Sequence, residues 1–173
     1  MGADISKEAW FLFLEHGQQD LVTQAHLLYE RERSISTPAF HDYSFVVFPM
    51  AKAYEGFLKR FFYRLGIISQ TTMEGDNFRI GKSLNPDLPE RFRDHEWLVS
   101  ELDSICGSAG GAFEGQLLSR VLWKRWKTSR NLLFHYFPQH ENFITLDGAG
   151  SRLAEIREAI KAALVCHRAY ENR

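Results

Sequence analysis

Cysteine is scarce in this chain: Cys106 and Cys166 are the only two among 173 residues. Two cysteines make neither a disulfide framework nor a metal site, and neither lies in a C-x-x-C pair, so a reducing compartment is the simplest expectation. Long apolar runs are missing as well. No window approaches the roughly eighteen consecutive apolar residues of a membrane-spanning helix, and no basic segment followed by an apolar core opens the chain. Neither a membrane span nor a secretory signal is therefore expected, and the expected location is cytoplasmic. Met1-Gly-Ala-Asp-Ile-Ser6 fits the loose pattern for lipidation of Gly2, a pattern with three open positions that chance readily meets. Charge of one sign is not in excess either: 21 Lys and Arg against 22 Asp and Glu leave a net −1. A nucleic-acid partner can then show itself only through local asymmetry. Repeats and low-complexity tracts are absent, and no His, Cys, Asp or Glu cluster has metal-ligand spacing, so no metal or cofactor is expected.

What remains is the composition of a packed globular chain, 45% hydrophobic and 25% charged, long enough to bury a substantial core. The expectation is a single domain over 1–173 with a possible loop insertion at 67–89. Fourteen Phe, six Tyr and four Trp point to an aromatic-heavy core or interface. Apolar residues at spacings of three and four fill 5–32, interrupted by Gly17, which predicts one long helix or two short ones. Ser34 to Pro38 reads as a loop. Asp42 or Ser44 is placed to cap a second helix that stops at Gly66, and Pro49 either kinks it or marks its first turn. From Ile67 to Pro89 the pattern dissolves into a long connector with a short hairpin around Phe78 and Ile80. A third helix over Glu90–Ile105 ends in a glycine-rich linker, and a fourth over about Phe113–Tyr136 stops before Pro138. After a short extended piece, Phe143 to Leu146, a last helix over about Gly148–Tyr170 carries Leu153, Ile156, Ile160, Ala163 and Leu164 on one face. The sum is an all-α bundle of about five helices.

The fourth helix carries the chemistry. At about 100° per residue, Leu118, Val121, Leu122, Leu132, Leu133 and Tyr136 cluster toward the core. Arg120, Lys124, Lys127, Asn131 and His135 form a stripe on the other side, and no acid lies between Arg120 and Arg130. Such a ridge can track a phosphate backbone; a solvated charged face is the plainer alternative. Arg130 and His135 stand at R-x4-H spacing. A fixed cation beside an imidazole that titrates near neutrality is what metal-free cleavage of an RNA phosphodiester needs, because the guanidinium holds the phosphate oxygens while the imidazole moves a proton. Taken alone the spacing is common, and a solvated Arg130 with a helix-end His135 near the last carbonyls is the plainer reading of it.

Five residues at about 100° each put Arg130 some 140° around a regular helix from His135. On one helix they point side by side only if the Arg bends round or the helix unwinds, so the expectation is that convergence needs a second copy of the helix. Phe134 lies on the arc between them, with Trp123 and Lys127 on the same exposed side, and two large aromatics there favour a two-fold dimer with paired fourth helices. Asn131, one turn before His135, either orients the imidazole or is a surface polar residue. Arg125 falls on the apolar side and needs an acid; Glu55, Asp42 and Glu114 are the candidates.

Arg130-Asn-Leu-Leu-Phe-His135, late in an all-helical chain, resembles the R-x4-6-H motif of HEPN ribonucleases, including the polar residue after the Arg. Asp42-Tyr-Ser-Phe-Val-Val-Phe-Pro-Met-Ala-Lys-Ala-Tyr-Glu-Gly-Phe-Leu-Lys59 is similar to a helix of the HEPN domain in the RNase LS toxins (RnlA and LsoA type), with its phenylalanine-proline and alanine-x-glutamate-glycine pattern. The resemblance covers about residues 40–66 and 115–137. It implies a HEPN-like helical bundle and a metal-independent endoribonuclease that acts as a homodimer, serves as the toxin of a toxin–antitoxin pair or in phage defence, and is restrained by a protein antitoxin. Arg130 and His135 take the motif's positions and Glu55 the glutamate of the second helix, counted with the active site in these toxins. An i, i+4 pair with Lys59 is the alternative for Glu55. The chain departs from the pattern in lacking the toxins' further N-terminal domains. It also has Phe137 where a related branch, paired with nucleotidyltransferase antitoxins, carries a modifiable tyrosine.

The resulting expectation is transesterification of single-stranded RNA. Arg130, His135 and Glu55 act on the scissile group, and Asn131, Lys127, Lys124 and Arg120 bind RNA. The competing expectation is a non-catalytic HEPN-type domain that binds RNA, a nucleotide or a protein through the same basic face.

Overall fold

In the computed structural model, residues 5–37, 39–108, 110, 113–136, 138 and 142–172 are described. Gly2, Pro38, Phe137 and part of the glycine-rich linker, on which expectations above fall, lie outside them. The described residues are all-α: eight α-helices, no strand, and one isolated antiparallel bridge between Ser108 and Leu117. The helices are α1 (Ala9–Leu12), α2 (His16–Arg33), α3 (Ser44–Arg64), α4 (Gln70–Glu74), α5 (Ile80–Ser83), α6 (Val99–Cys106), α7 (Leu118–Trp126) and α8 (Leu146–Glu171). A π-helical turn, Lys127–Asn131, continues α7. Five of the eight are longer than two turns, in line with the expected number. Among the described residues no helix is long and apolar enough to cross a membrane.

The spine is α3. A surface helix buries one stripe, but α3 buries Val46, Val47, Met50, Ala53, Tyr54, Phe57, Leu58, Phe61 and Phe62, because α2, α7 and α8 all pack on it. Tyr54, Phe57 and Phe61 stack near-parallel along it, with centroids 6.0 and 5.7 Å apart, a geometry that adds to area burial. The N-cap position is Tyr43, which makes no side-chain cap bond, and not Asp42 or Ser44; Asp42 acts one residue earlier. Its Oδ1 accepts from the Ser44 N–H at 3.1 Å and also from the Ile144 N–H at 3.1 Å, so one carboxylate ties the start of α3 to the approach to α8. At the other end Gly66 takes φ +72°, the left-handed conformation that closes helices. Pro49 stands in the second turn of an uninterrupted helix, not at its start.

Several boundaries differ from the expectations. The N-terminal helix breaks at Phe13–Glu15, not at Gly17, which lies in the first turn of α2. Glu15 sets that start: its N–H donates to Gln18 Oε1 at 3.2 Å, and its carboxylate pairs with Arg60 and Arg64 of α3. Residues 67–89 hold no hairpin but two short helices, α4 capped by the Ser69 hydroxyl, and α5 pinned by buried Phe78, Ile80 and Leu84. The third helix is only α6. Residues 93–98 are held against 82–88 instead, through Trp97 Nε1 to the Asn85 carbonyl at 2.9 Å, the Leu98 N–H to the Ser83 carbonyl at 2.9 Å, and the Lys82–Asp94 pair.

The fourth helix is the most changed. It starts at Leu118, where the Ser119 hydroxyl donates to Asp103 at 2.8 Å, and it leaves α-geometry at Lys127. Leu132 and Tyr136 are therefore exposed, not core. Arg125 pairs with Glu155 of α8 at 3.2 Å, an acid outside the three candidates, and its guanidinium also lies 5.8 Å from the Phe113 ring. The cysteines are corrected too: Cys106 at the end of α6 and Cys166 of α8 form a disulfide, with Cα atoms 5.3 Å apart. Their scarcity thus gives no support to a reducing compartment.

Candidate active site

Phe48, Lys52 and Glu55 follow one another on α3 at spacings of four and three, so they share one face of the helix. That face is the part of α3 left uncovered by its neighbours, and with Ala51 it forms one wall of a cavity of about 310 Å³. Behind it the helix is fixed. The Tyr54 hydroxyl, wholly buried, donates to the Leu122 carbonyl of α7 at 3.1 Å. Burial pushes that phenol well above its ordinary range, so it stays a donor.

The opposite wall comes from the end of α7. Beyond Trp126 the hydrogen bonds lengthen by one residue, the Leu132 N–H reaching the Lys127 carbonyl at 2.9 Å. Thr128 favours this locally, since its Oγ1 donates to the Lys124 carbonyl at 2.9 Å and competes for that acceptor. Turns of this kind occur mostly as single insertions in helices, often at functional sites. After Asn131 the chain continues as turns and bends. Of the three ways in which Arg130 and His135 can converge, unwinding is the one realised: both line the same cavity of one chain, together with Phe134. A second copy of the helix is not needed to bring them together.

Arg130 is held from two directions. Its Nε donates to Glu55 Oε2 at 3.2 Å, and the guanidinium lies 5.0 Å from the centre of the buried Trp126 ring. Glu55 therefore pairs with Arg130 and not with Lys59, whose ammonium reaches the Gly75 carbonyl at 3.4 Å. Phe134 meets Phe48 edge to face across the mouth, centroids 5.3 Å apart. The cavity thus combines two cations, the exposed Lys52 and the anchored Arg130, with one carboxylate, an imidazole and an aromatic pair. Its formal charge is positive even with the imidazole neutral. That arrangement suits an anionic group bonded to a flat apolar one.

Glu55, Arg130 and His135 are accordingly brought together. Asn131 is half-buried and does not line the cavity; Arg120, Lys124 and Lys127 are exposed and do not line it either. Trp123 is half-buried against the core and does not line the cavity, so it is not the exposed partner of Phe134 that the helix projection suggested. Two lining residues, Phe48 and Lys52, were not singled out from the sequence, although their spacing to Glu55 on one helix face was there to be read. Among the described residues no group of three or more His, Cys, Asp or Glu is placed to hold a metal ion.

The chain matches no protein-family model, and no curated protein or solved structure matches it.

Proposed function

We propose that this chain is a HEPN-type, metal-independent endoribonuclease that cleaves single-stranded RNA by transesterification. The observation that carries the reading is the convergence of Glu55, Arg130 and His135 on one cavity from segments 75 residues apart. In the reaction the RNA 2′-oxygen bonds to phosphorus while the bond to the 5′-oxygen breaks. The 2′-hydroxyl proton passes to a base and the leaving 5′-oxygen gains one from an acid. His135 fills one of these roles and water or a second subunit the other. Arg130, aimed by Glu55, stabilises the charge that grows on the phosphoryl oxygens. The products are a 2′,3′-cyclic phosphate and a 5′-hydroxyl. Exposed Arg120, Lys124 and Lys127, on the helix and turn that lead to Arg130, supply salt-sensitive contacts to the RNA backbone.

The same reading makes the chain a toxin of a toxin–antitoxin or phage-defence pair, restrained by a protein antitoxin. A homodimer apposing the faces that bear Arg130 and His135 belongs to it as well. Exposed Phe48, which lines the cavity with Arg130 and His135, supports the dimer.

The decisive experiment incubates purified wild-type protein and His135→Ala with labelled RNA in EDTA. Cleavage by the wild type and a loss of at least about 10²-fold in the variant are expected, since positioned acid–base catalysis contributes about 10² to 10⁴. Equal cleavage by both removes the assignment. A salt-sensitive gel shift with no cleavage by either points to an RNA-binding domain without catalysis.

A further inference from the structure

His135 and Phe134 do not border one cavity but two. On their far side lies a second, of about 280 Å³, lined also by Asp42, Ser44, Tyr136, Asn142 and Phe143. The two spaces differ in character. The first carries both cations, Lys52 and Arg130; among the described residues the second has no Lys or Arg along its wall, and its carboxylate is Asp42. A phosphate therefore belongs on the Arg130 side of the imidazole and is disfavoured on the Asp42 side. What the second cavity offers instead is aromatic surface, with Tyr136 77% exposed and Phe143 44% exposed, beside the Ser44 hydroxyl. Asp42 is already occupied as an acceptor by Ser44 and Ile144, so it fixes the wall and adds no strong bond to a ligand. Phe143 is itself braced by His41, ring centres 4.5 Å apart. A base has a flat face that stacks on any such ring regardless of its identity.

We infer that the two cavities are consecutive nucleotide subsites, and that the minimal ligand is a dinucleotide straddling His135. One nucleotide lies against Phe48 and Phe134 with the scissile phosphate between Lys52 and Arg130. Its neighbour stacks its base on Tyr136 and Phe143. The inference rests on the ribonuclease reading for the location of the scissile bond. Each cavity, at about 300 Å³ or below, is at the small end of ligand sites and suits a single nucleotide. Lys52 becomes a second phosphate-binding residue, and Tyr136 and Phe143 set how tightly the far nucleotide is held.

The test is calorimetric titration of the full chain with a nucleoside 3′-monophosphate and with 2′-O-methyl di- and trinucleotides, whose capped 2′-oxygen cannot attack. The dinucleotide should bind about 5- to 100-fold more tightly than the mononucleotide, the range set by one stacked base. The trinucleotide should add much less. Tyr136→Ala and Phe143→Ala should erase that gain while leaving mononucleotide affinity within about twofold, and Lys52→Gln should weaken both ligands. Both aromatic rings are exposed, so truncation leaves the fold in place, and a thermal melt verifies it. A dinucleotide no tighter than the mononucleotide overturns the inference, as does a gain that survives both aromatic substitutions, or no binding of either ligand. Cleavage of unmodified RNA, measured alongside, separates the two levels. Two-subsite binding without cleavage sinks the ribonuclease and keeps the subsites, whereas cleavage indifferent to Tyr136 and Phe143 does the reverse.

Discussion

Replacing Glu55 by Gln separates a structural ion pair from a functional one, because the two readings predict effects of different size. The Glu55 and Arg130 side chains are 34% and 42% exposed and meet at 3.2 Å through a single Nε–H. A pair so open to water contributes about 0–1 kcal/mol to folding. Gln keeps the shape and one acceptor oxygen, so Glu55→Gln should lower Tm by at most about 2–4 °C in a domain of this size. Activity is another matter. If the carboxylate aims the guanidinium at the phosphoryl oxygens, its loss frees Arg130 to swing away over the Trp126 ring. Misplacement of a catalytic group by about 1 Å can cost 10²-fold, and outright removal of one oxyanion donor costs about 10² to 10³. A loosened donor should then cost about 10- to 100-fold in kcat. Single-turnover cleavage of labelled RNA in EDTA, paired with a thermal melt of the same preparation, reads both numbers. Unchanged cleavage, or a rate loss matched by a fall in Tm well beyond 4 °C, would refute the assignment of Glu55 as the group that positions Arg130.

Three other outcomes follow from the fold. The Cys106–Cys166 bridge spans 60 residues, for which loop-closure entropy gives about 4 kcal/mol. Cys166→Ser, or reduction of the wild type, should therefore lower Tm by roughly 10 °C without reaching the cavity, and a melt indifferent to reductant contradicts the bridge. Tyr54→Phe removes the buried donor to the Leu122 carbonyl and should cost about 1 kcal/mol in denaturant titration; a null effect means that the α3–α7 contact is not held by this bond. Burial lowers the imidazole pKa of His26, helped by Arg157 and opposed by Glu30 and Glu8, and burial likewise lowers that of His167 beside Glu171 and Arg64. The unfolded chain then takes up protons first, so stability is full above about pH 6.5, falls as pH drops through that value, and levels off below the folded-state pKa values. His26→Gln should flatten this acid slope, and an unchanged slope would show that His26 does not contribute.

Much of the architecture was legible because long periodic segments with strong ends dominate it. Asp42 and Gly66 bracket α3, and Leu153, Ile156, Ile160, Ala163 and Leu164 of α8 are buried together as their spacing required. What escaped was set by contacts between distant segments. Residues 93–98 look helical by local pattern, yet the Trp97 indole and the Lys82–Asp94 pair hold them against the α5 region. Arg125 was recognised as needing an acid, but its partner, Glu155, lies thirty residues on in another helix, beyond what local spacing can rank. Of the cavity's lining residues, Glu55, Arg130 and His135 were singled out from the sequence, but their geometry was misread. A regular helix kept Arg130 and His135 apart, and nothing in the periodicity announced that Thr128 would compete for a carbonyl and let the winding relax. The aromatic and cationic partners Phe48 and Lys52 were hidden for a different reason: on a helix buried on several sides, function shows as the few positions that packing leaves open.

The widened turn at Lys127–Asn131 makes the cavity depend on chain length more than on side-chain chemistry. It accommodates one surplus residue, and deleting one there would let the backbone rewind, turning everything downstream by about 100° and carrying the imidazole off the guanidinium's side. A single-codon deletion in this stretch would therefore dismantle the cavity while its lining residue types, and the packed spine behind them, were unchanged.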